Sequence, residues 1–140
     1  INRTEWETGY NYRFTTLAVD AFESRVCLYK GDWKTAYDTA ERLLAQKSAL
    51  EDYNSPDFKM PNLYESIESI TAYENIYNNS TLKASQATEA FVQMFQEGDL
   101  RLAKYIDVVN ADGNYPIIKN DGTSKYKCSF RTSELYLNAA

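Results

Sequence analysis

The chain of 140 residues contains no histidine. That removes the side chain that titrates near neutrality, and with it both an imidazole general base and an imidazole metal ligand. Its two cysteines, Cys27 and Cys128, match no metal-ligand spacing, and its five glycines are too scattered to form a phosphate-cradling loop. No apolar run approaches the roughly 20 residues of a membrane span, and no secretory leader stands at the start. A formal charge of −5 and a pI near 4.8 argue against nucleic acid or an anionic membrane surface as the main partner. Acidic pairs at helical spacing do occur, Asp38 with Glu41 and Glu65 with Glu68. Twenty acids in 140 residues make such pairs inevitable, so solvated surface is the better reading. Without a nucleophile–base set, neither catalysis nor a bound cofactor is expected.

What is there is organised around residues 14–46. Leu17, Ala18, Ala21, Phe22, Val26, Leu28 and Tyr29 fall close to one helical stripe. Trp33, Ala36, Tyr37, Ala40, Leu43 and Leu44 form a cleaner one. Gly31 and Asp32 separate the two: glycine suits the left-handed end of a helix, and aspartate caps the next. So short a turn makes the helices antiparallel neighbours. Ala36 and Ala40 are predicted to let the backbones approach, with Trp33 plugging the open end.

The remainder is less regular. Residues 1–13 read as an extended arm bearing Trp6, Tyr10 and Tyr12. Residues 45–61, with Pro56 and Pro61, read as a long loop that is either functional or anchored by neighbours. Residues 66–73 alternate apolar and polar side chains, as a short strand does. Ser85 is the expected cap of a helix from Gln86 to about Gln96, burying Ala87, Ala90, Phe91, Met94 and Phe95 and stopping at Gly98. Residues 104–118 carry two apolar runs around Asn110–Asn114, a hairpin signal. Arg131–Ala140 read as a helix. Asn110, Asp112 and Gly113 echo a calcium loop, but Val108 and Lys119 occupy the positions that need acids, so a polar turn is the better reading. Three Asn-x-Ser/Thr triplets begin at Asn2, Asn78 and Asn79 and carry little weight. Cys27 reads as a small core residue; a Cys27–Cys128 disulfide in an oxidising compartment stays open as an alternative.

Aromatic content is the remaining signal: 14% of the chain, including 12 tyrosines. Such rings suit stacking on sugars or packing at interfaces. From their spacing Tyr29, Trp33 and Tyr37 are core or half-buried. Trp6, Tyr73 and Tyr77 lie outside the hairpin stripe, in irregular or edge segments, and are the candidate ligand-binding residues.

The hairpin phrase resembles a single tetratricopeptide unit, with no second unit at a fixed period. The order of phrases along the whole chain resembles the SusD/RagB family of outer-membrane nutrient-binding lipoproteins of Bacteroidetes. Arg25, Leu28, Tyr29, Gly31, Asp32 and Trp33 match its Arg-x-x-Leu-Tyr-x-Gly-Asp-aromatic phrase. Glu65 to Ile70 loosely match an extended segment, Asp99 and Arg101 an Asp-x-Arg element, and Arg131, Glu134, Tyr136, Leu137 and Ala140 a late helix.

The resemblance implies a mainly α fold, a tetratricopeptide-like helical hairpin scaffold with irregular segments and minor β. Residues 1–140 would be a single partial domain, an internal piece of a longer protein. It implies no enzyme but a binder of glycan or another nutrient at the cell surface. The ligand passes to a TonB-dependent SusC-like porin, and the membrane is met only through a lipid anchor absent from this chain. Bottom-up, Arg25, Arg131 and Glu134 are expected to pair across the bundle. The alternative function is a helical adaptor for protein–protein interaction with no sugar ligand.

Overall fold

The computed structural model describes residues 3–7, 10, 13–61, 63–74, 85–118 and 126–140, with backbone alone for 73, 74 and 126–128. Its elements run α1 (Thr16–Lys30), α2 (Trp33–Leu44), β1 (Ser69–Glu74), β2 (Gln86–Ala87), α3 (Glu89–Val92), α4 (Leu100–Tyr105), β3 (Tyr115–Pro116), β4 (Tyr126–Arg131) and α5 (Thr132–Asn138). The protein is mainly α with minor β.

The expected hairpin is present. Thr15 Oγ1 accepts the Ala18 N–H at the start of α1. Gly31, at φ 76°, ends the helix in a Schellman turn: the Asp32 N–H reaches Cys27 O and the Gly31 N–H reaches Leu28 O. Asp32 Oδ1 then accepts the Thr35 N–H and starts α2. Hydrogen bonding to Thr35 lowers the Asp32 carboxyl below the ordinary carboxylate range. Ser24 Oγ donates to Ala36 O, while Arg42 near the end of α2 faces Asp20 and Glu23 in α1, so the helices are antiparallel.

The packing, however, differs from the expected one. Trp33 is 65% exposed, Tyr29 87%, and Phe22 and Tyr37 are exposed as well. Trp33 does not plug the hairpin. The buried contact between the helices is made by small residues, Ala18, Ala21, Ser24, Ala36 and Ala40, with Ser24 Oγ 3.0 Å from Ala36 O, and Trp33 lies outside it. The Trp33 ring instead lies beside the Gly31 turn, where a Cβ on Gly31 would stand 3.8 Å from it.

A two-stranded antiparallel sheet, β1 with β4, lies against this hairpin, and α5 packs on both α1 and α2. The shared core is Ala18, Ala21, Ala40, Leu43, Ile70, Phe130 and Leu135. Cys27 is buried with a free thiol; the side chain of Cys128 lies outside the described residues. β1 starts later than the alternation suggested, because residues 66–68 form a turn in which the Ser69 N–H donates to Ser66 O. Every residue from Glu68 to Ala72 is buried, so the alternation did not separate two faces.

The long loop is held by its own carboxylates. Glu68 Oε1 accepts the Glu51 N–H, and Glu51 in turn accepts the N–H groups of Ile67 and Lys59. Of the three charges expected to pair across the bundle, Arg25, Arg131 and Glu134, the structure joins Arg25 with Glu134. Two parallel bonds of 2.6 and 2.5 Å join them, Arg25 also donates to Ser129 O, and its guanidinium lies 3.9 Å from the Phe130 ring centroid. One side chain thus ties α1 to β4 and α5.

Residues 85–118 form a separate small lobe. The helix expected from Gln86 to Gln96 is not there. Gln86 and Ala87 pair with Pro116 and Tyr115, and Thr88, not Ser85, caps a single turn of helix. Ala90 and Phe91 are exposed and Met94 is 76% exposed; only Ala87 and Phe95 of the expected face are half-buried. With the backbone of residues 86 and 87 spent on pairing and no core to pack against, a long helix has nothing to stabilise it. The 104–118 hairpin survives in reduced form. α4 runs through Tyr105, Ile106 bridges Ile117, and Asn110 Oδ1 accepts the N–H groups of Asp112 and Asn114 in the expected polar turn.

Candidate functional site

Two hollows stand out. The first lies where the N-terminal arm crosses the start of α1, the end of α2 and the start of β1, with a volume of about 460 Å³. Trp6 forms one wall. Its indole N–H donates to Phe14 O at 3.1 Å, which fixes the ring. The guanidiniums of Arg3 and Arg13 lie 4.8 and 5.2 Å from its centroid. Trp6 is therefore a held, half-buried wall with cations at its ring, not a bare platform.

Leu17 and Ile70 supply further apolar surface, and Thr4, Glu5, Thr15, Gln46, Lys47 and Ser69 supply polar groups. Lys47 enters because α2 ends just before it: its N–H closes onto Leu43 O, and its ammonium donates to Ile67 O at 2.6 Å. Ser69 begins β1 and is 5% exposed, and its hydroxyl is buried with no hydrogen-bond partner among the described residues. Such a set of hydroxyl, amide, carboxylate and ammonium groups beside apolar walls is suited to binding a hydroxyl-bearing ligand without reacting with it.

The second hollow, about 420 Å³, lies in the lobe between Phe91, Met94, Phe95, Arg101, Tyr105, Ile106 and Ile117. Phe91 and Phe95 meet edge to face, and Arg101 is held by Asp99, whose carboxyl that hydrogen bonding lowers. The Tyr105 and Tyr53 hydroxyls are hydrogen-bonded, joining lobe to loop. Burial first, and that bond second, push the Tyr53 hydroxyl far above its ordinary value. Arg101 and Tyr105 give this groove a polar edge, but its floor is apolar.

Of the three candidate residues, Trp6 lines the first hollow. Tyr73 lies in β1 opposite Lys127, its side chain outside the described residues, and Tyr77 lies outside them altogether. Sequence reasoning missed Ser69, Lys47 and Glu5. No local pattern in the sequence marks any of the three, because they meet only once the arm, the end of α2 and the start of β1 are brought together. Among the described residues no three Cys, Asp or Glu side chains gather as metal ligands, and no helix is long and apolar enough to cross a membrane.

A helical hairpin with a two-stranded sheet and a late helix laid against it is an architecture already seen in solved structures. The chain is similar to a SusD-like carbohydrate binding protein from Bacteroides vulgatus ATCC 8482, with 17% identity and a TM-score of 0.71, over 96% of this chain and 35% of that one. It is also similar to a SusD superfamily protein from Bacteroides thetaiotaomicron VPI-5482, with 22% identity and a TM-score of 0.71, over 99% and 38%. A SusD superfamily protein from Bacteroides vulgatus ATCC 8482 gives 19% identity and a TM-score of 0.65, over 96% and 37%. The fold is that of SusD-like proteins, as the phrase order suggested, and the chain spans little more than a third of their length. No protein-family model and no curated protein matches the sequence.

Proposed function

We propose that the chain is an internal piece of a longer SusD-like nutrient-binding protein, held at the outer-membrane surface by a lipid anchor outside these residues. That protein binds a glycan and passes it to a TonB-dependent SusC-like porin; it is not an enzyme. The observation that carries this reading is the shared fold over nearly the whole chain with proteins that include one described as carbohydrate binding. Trp6, Tyr73 and Tyr77 are the aromatic contacts proposed within this piece, each stacked ring contributing on the order of 1 kcal/mol.

Calorimetry of the longer protein against a glycan panel tests the reading, repeated with these three residues changed to Ala. Binding that weakens in the triple variant supports it. Unchanged affinity removes the three residues, and no heat with any glycan removes the glycan. Co-purification with the product of a neighbouring porin gene tests the transfer step.

One observation favours the adaptor reading as an alternative. Val19, Phe22, Val26 and Tyr29 recur along α1 on a face left exposed, with exposed Trp33 at its end. Such a stripe is what a partner helix packs on. Capture of a protein partner, lost on changing Phe22 and Tyr29 to Ser, with no heat from glycans, would favour the adaptor.

A further inference from the structure

We propose that the lobe at 85–118 opens and closes as one unit, and that the 45–61 loop carries the catch that holds it closed. Tyr53 and Phe58 are the loop's half of the catch; Lys104 and Tyr105, at the end of α4, are the lobe's half. The proposal does not depend on what the protein binds.

Loop and lobe are fastened differently. The loop is tied to the start of the sheet: Glu68 accepts the Glu51 N–H, and Glu51 accepts the N–H groups of Lys59 and Ile67. Tyr53 and Phe58 lie between the anchored positions 51 and 59, with their ring centroids 4.6 Å apart. The backbone bonds that order the lobe are its own. Asp107 N–H donates to Pro116 O, Ile118 N–H to Tyr105 O, and Ile117 N–H to Ser85 O. Ile106 is the one buried apolar residue described there, and a segment with so small a core opens at low cost. Across the junction the Tyr53 and Tyr105 hydroxyls are hydrogen-bonded, and their rings meet edge to face at 6.1 Å. The Lys104 ammonium lies 4.8 Å from the Phe58 centroid. All four side chains are half-buried, and the raised Tyr53 hydroxyl stays protonated at neutral pH. Tyr105 also lines the apolar hollow beside Arg101 and Ile106, so release of the catch frees one wall of that hollow. The long loop thereby has a role: it is a fixed post on which a thinly cored lobe rests.

Hydrogen exchange of the longer protein at neutral pH, read by mass spectrometry, tests the catch. In the parent, the amides of Ile106, Asp107, Ile117 and Ile118 should exchange together, and faster than those of α1 and α2. Tyr53→Phe removes one neutral hydrogen bond. It should speed lobe exchange by about threefold to tenfold and leave α1 and α2 unchanged. Tyr105→Phe should act on the same amides, and adding Tyr53→Phe to it should bring no further acceleration, because both remove one bond. Lobe exchange as slow as that of the hairpin, or unaltered in Tyr53→Phe, overturns the proposal. So does equal acceleration in the hairpin, or independent effects of the two tyrosines.

Discussion

The hairpin and the sheet it carries bury Ala18, Ala21, Ala40, Leu43, Ile70, Phe130 and Leu135 in one cluster, whereas Ile106 is the only buried apolar residue described in the lobe at 85–118. The difference is not one of composition. The lobe has Phe91, Met94, Phe95 and Tyr105; what it lacks is a second layer to press them against. The core succeeds with smaller side chains because two helices, a sheet and α5 close around it. Aromatic content says little about where a core will be; closure by other elements decides it.

That contrast can be broken most directly at matched phenylalanines. Phe130→Ala should cost about 3–5 kcal/mol in urea denaturation, since it empties a buried site beside Phe22 and Arg25. Phe91→Ala, in the lobe, should cost less than about 1 kcal/mol. Equal losses would show that the lobe has a core of its own. The Arg25–Glu134 clasp gives a smaller effect. Glu134→Gln should cost about 2 kcal/mol, short of the roughly 3–5 kcal/mol of a fully buried pair, because 34% and 25% of the two side chains remain exposed. Replacing both by apolar residues of similar size should recover part of that loss, a coupling that a double-mutant cycle reads directly.

The Asp32 cap gives a pH signature smaller again. Its carboxyl is lowered in the folded state, so its contribution is fully present above the ordinary carboxylate range. It is lost as pH falls through the folded value. Asp32→Asn keeps a good cap and should flatten that acid limb, as followed by the melting temperature against pH. Smallest of all, Trp33→Ala should change stability by less than about 0.5 kcal/mol, because the ring is mostly in water. A loss of several kcal/mol would return Trp33 to the role that its spacing suggested.

Trp33 shows where sequence periodicity stops being informative. The three- and four-residue recurrence placed it on the stripe with Ala36, Ala40 and Leu43, and that much of the hairpin was legible, cap by cap. Helix spacing does not say how closely two backbones approach, and here alanines closed the gap. The Gln86–Gln96 helix failed for a related reason: the pattern was present, but its partner surface was not. Arg25 and Glu134 were legible as members of a set with Arg131, because charges on a helix facing a core need partners, but which two would meet was not. Ser69 was not, since nothing local distinguishes a hydroxyl that finds a partner from one that does not.

The register of β1 with β4 sets Glu74 opposite Tyr126. The chain therefore leaves the sheet after Glu74 and rejoins it at Tyr126, two paired strand ends, and the described lobe at 85–118 falls between them in sequence. Closing such an excursion costs entropy that grows only logarithmically with its length, about 0.6 kcal/mol per doubling. The sheet can thus carry an excursion of very different size without a change in its own pairing. A tight turn grafted directly between Glu74 and Tyr126 would leave the hairpin, the sheet and α5 as a minimal scaffold, on which excursions of other lengths and specificities could be mounted.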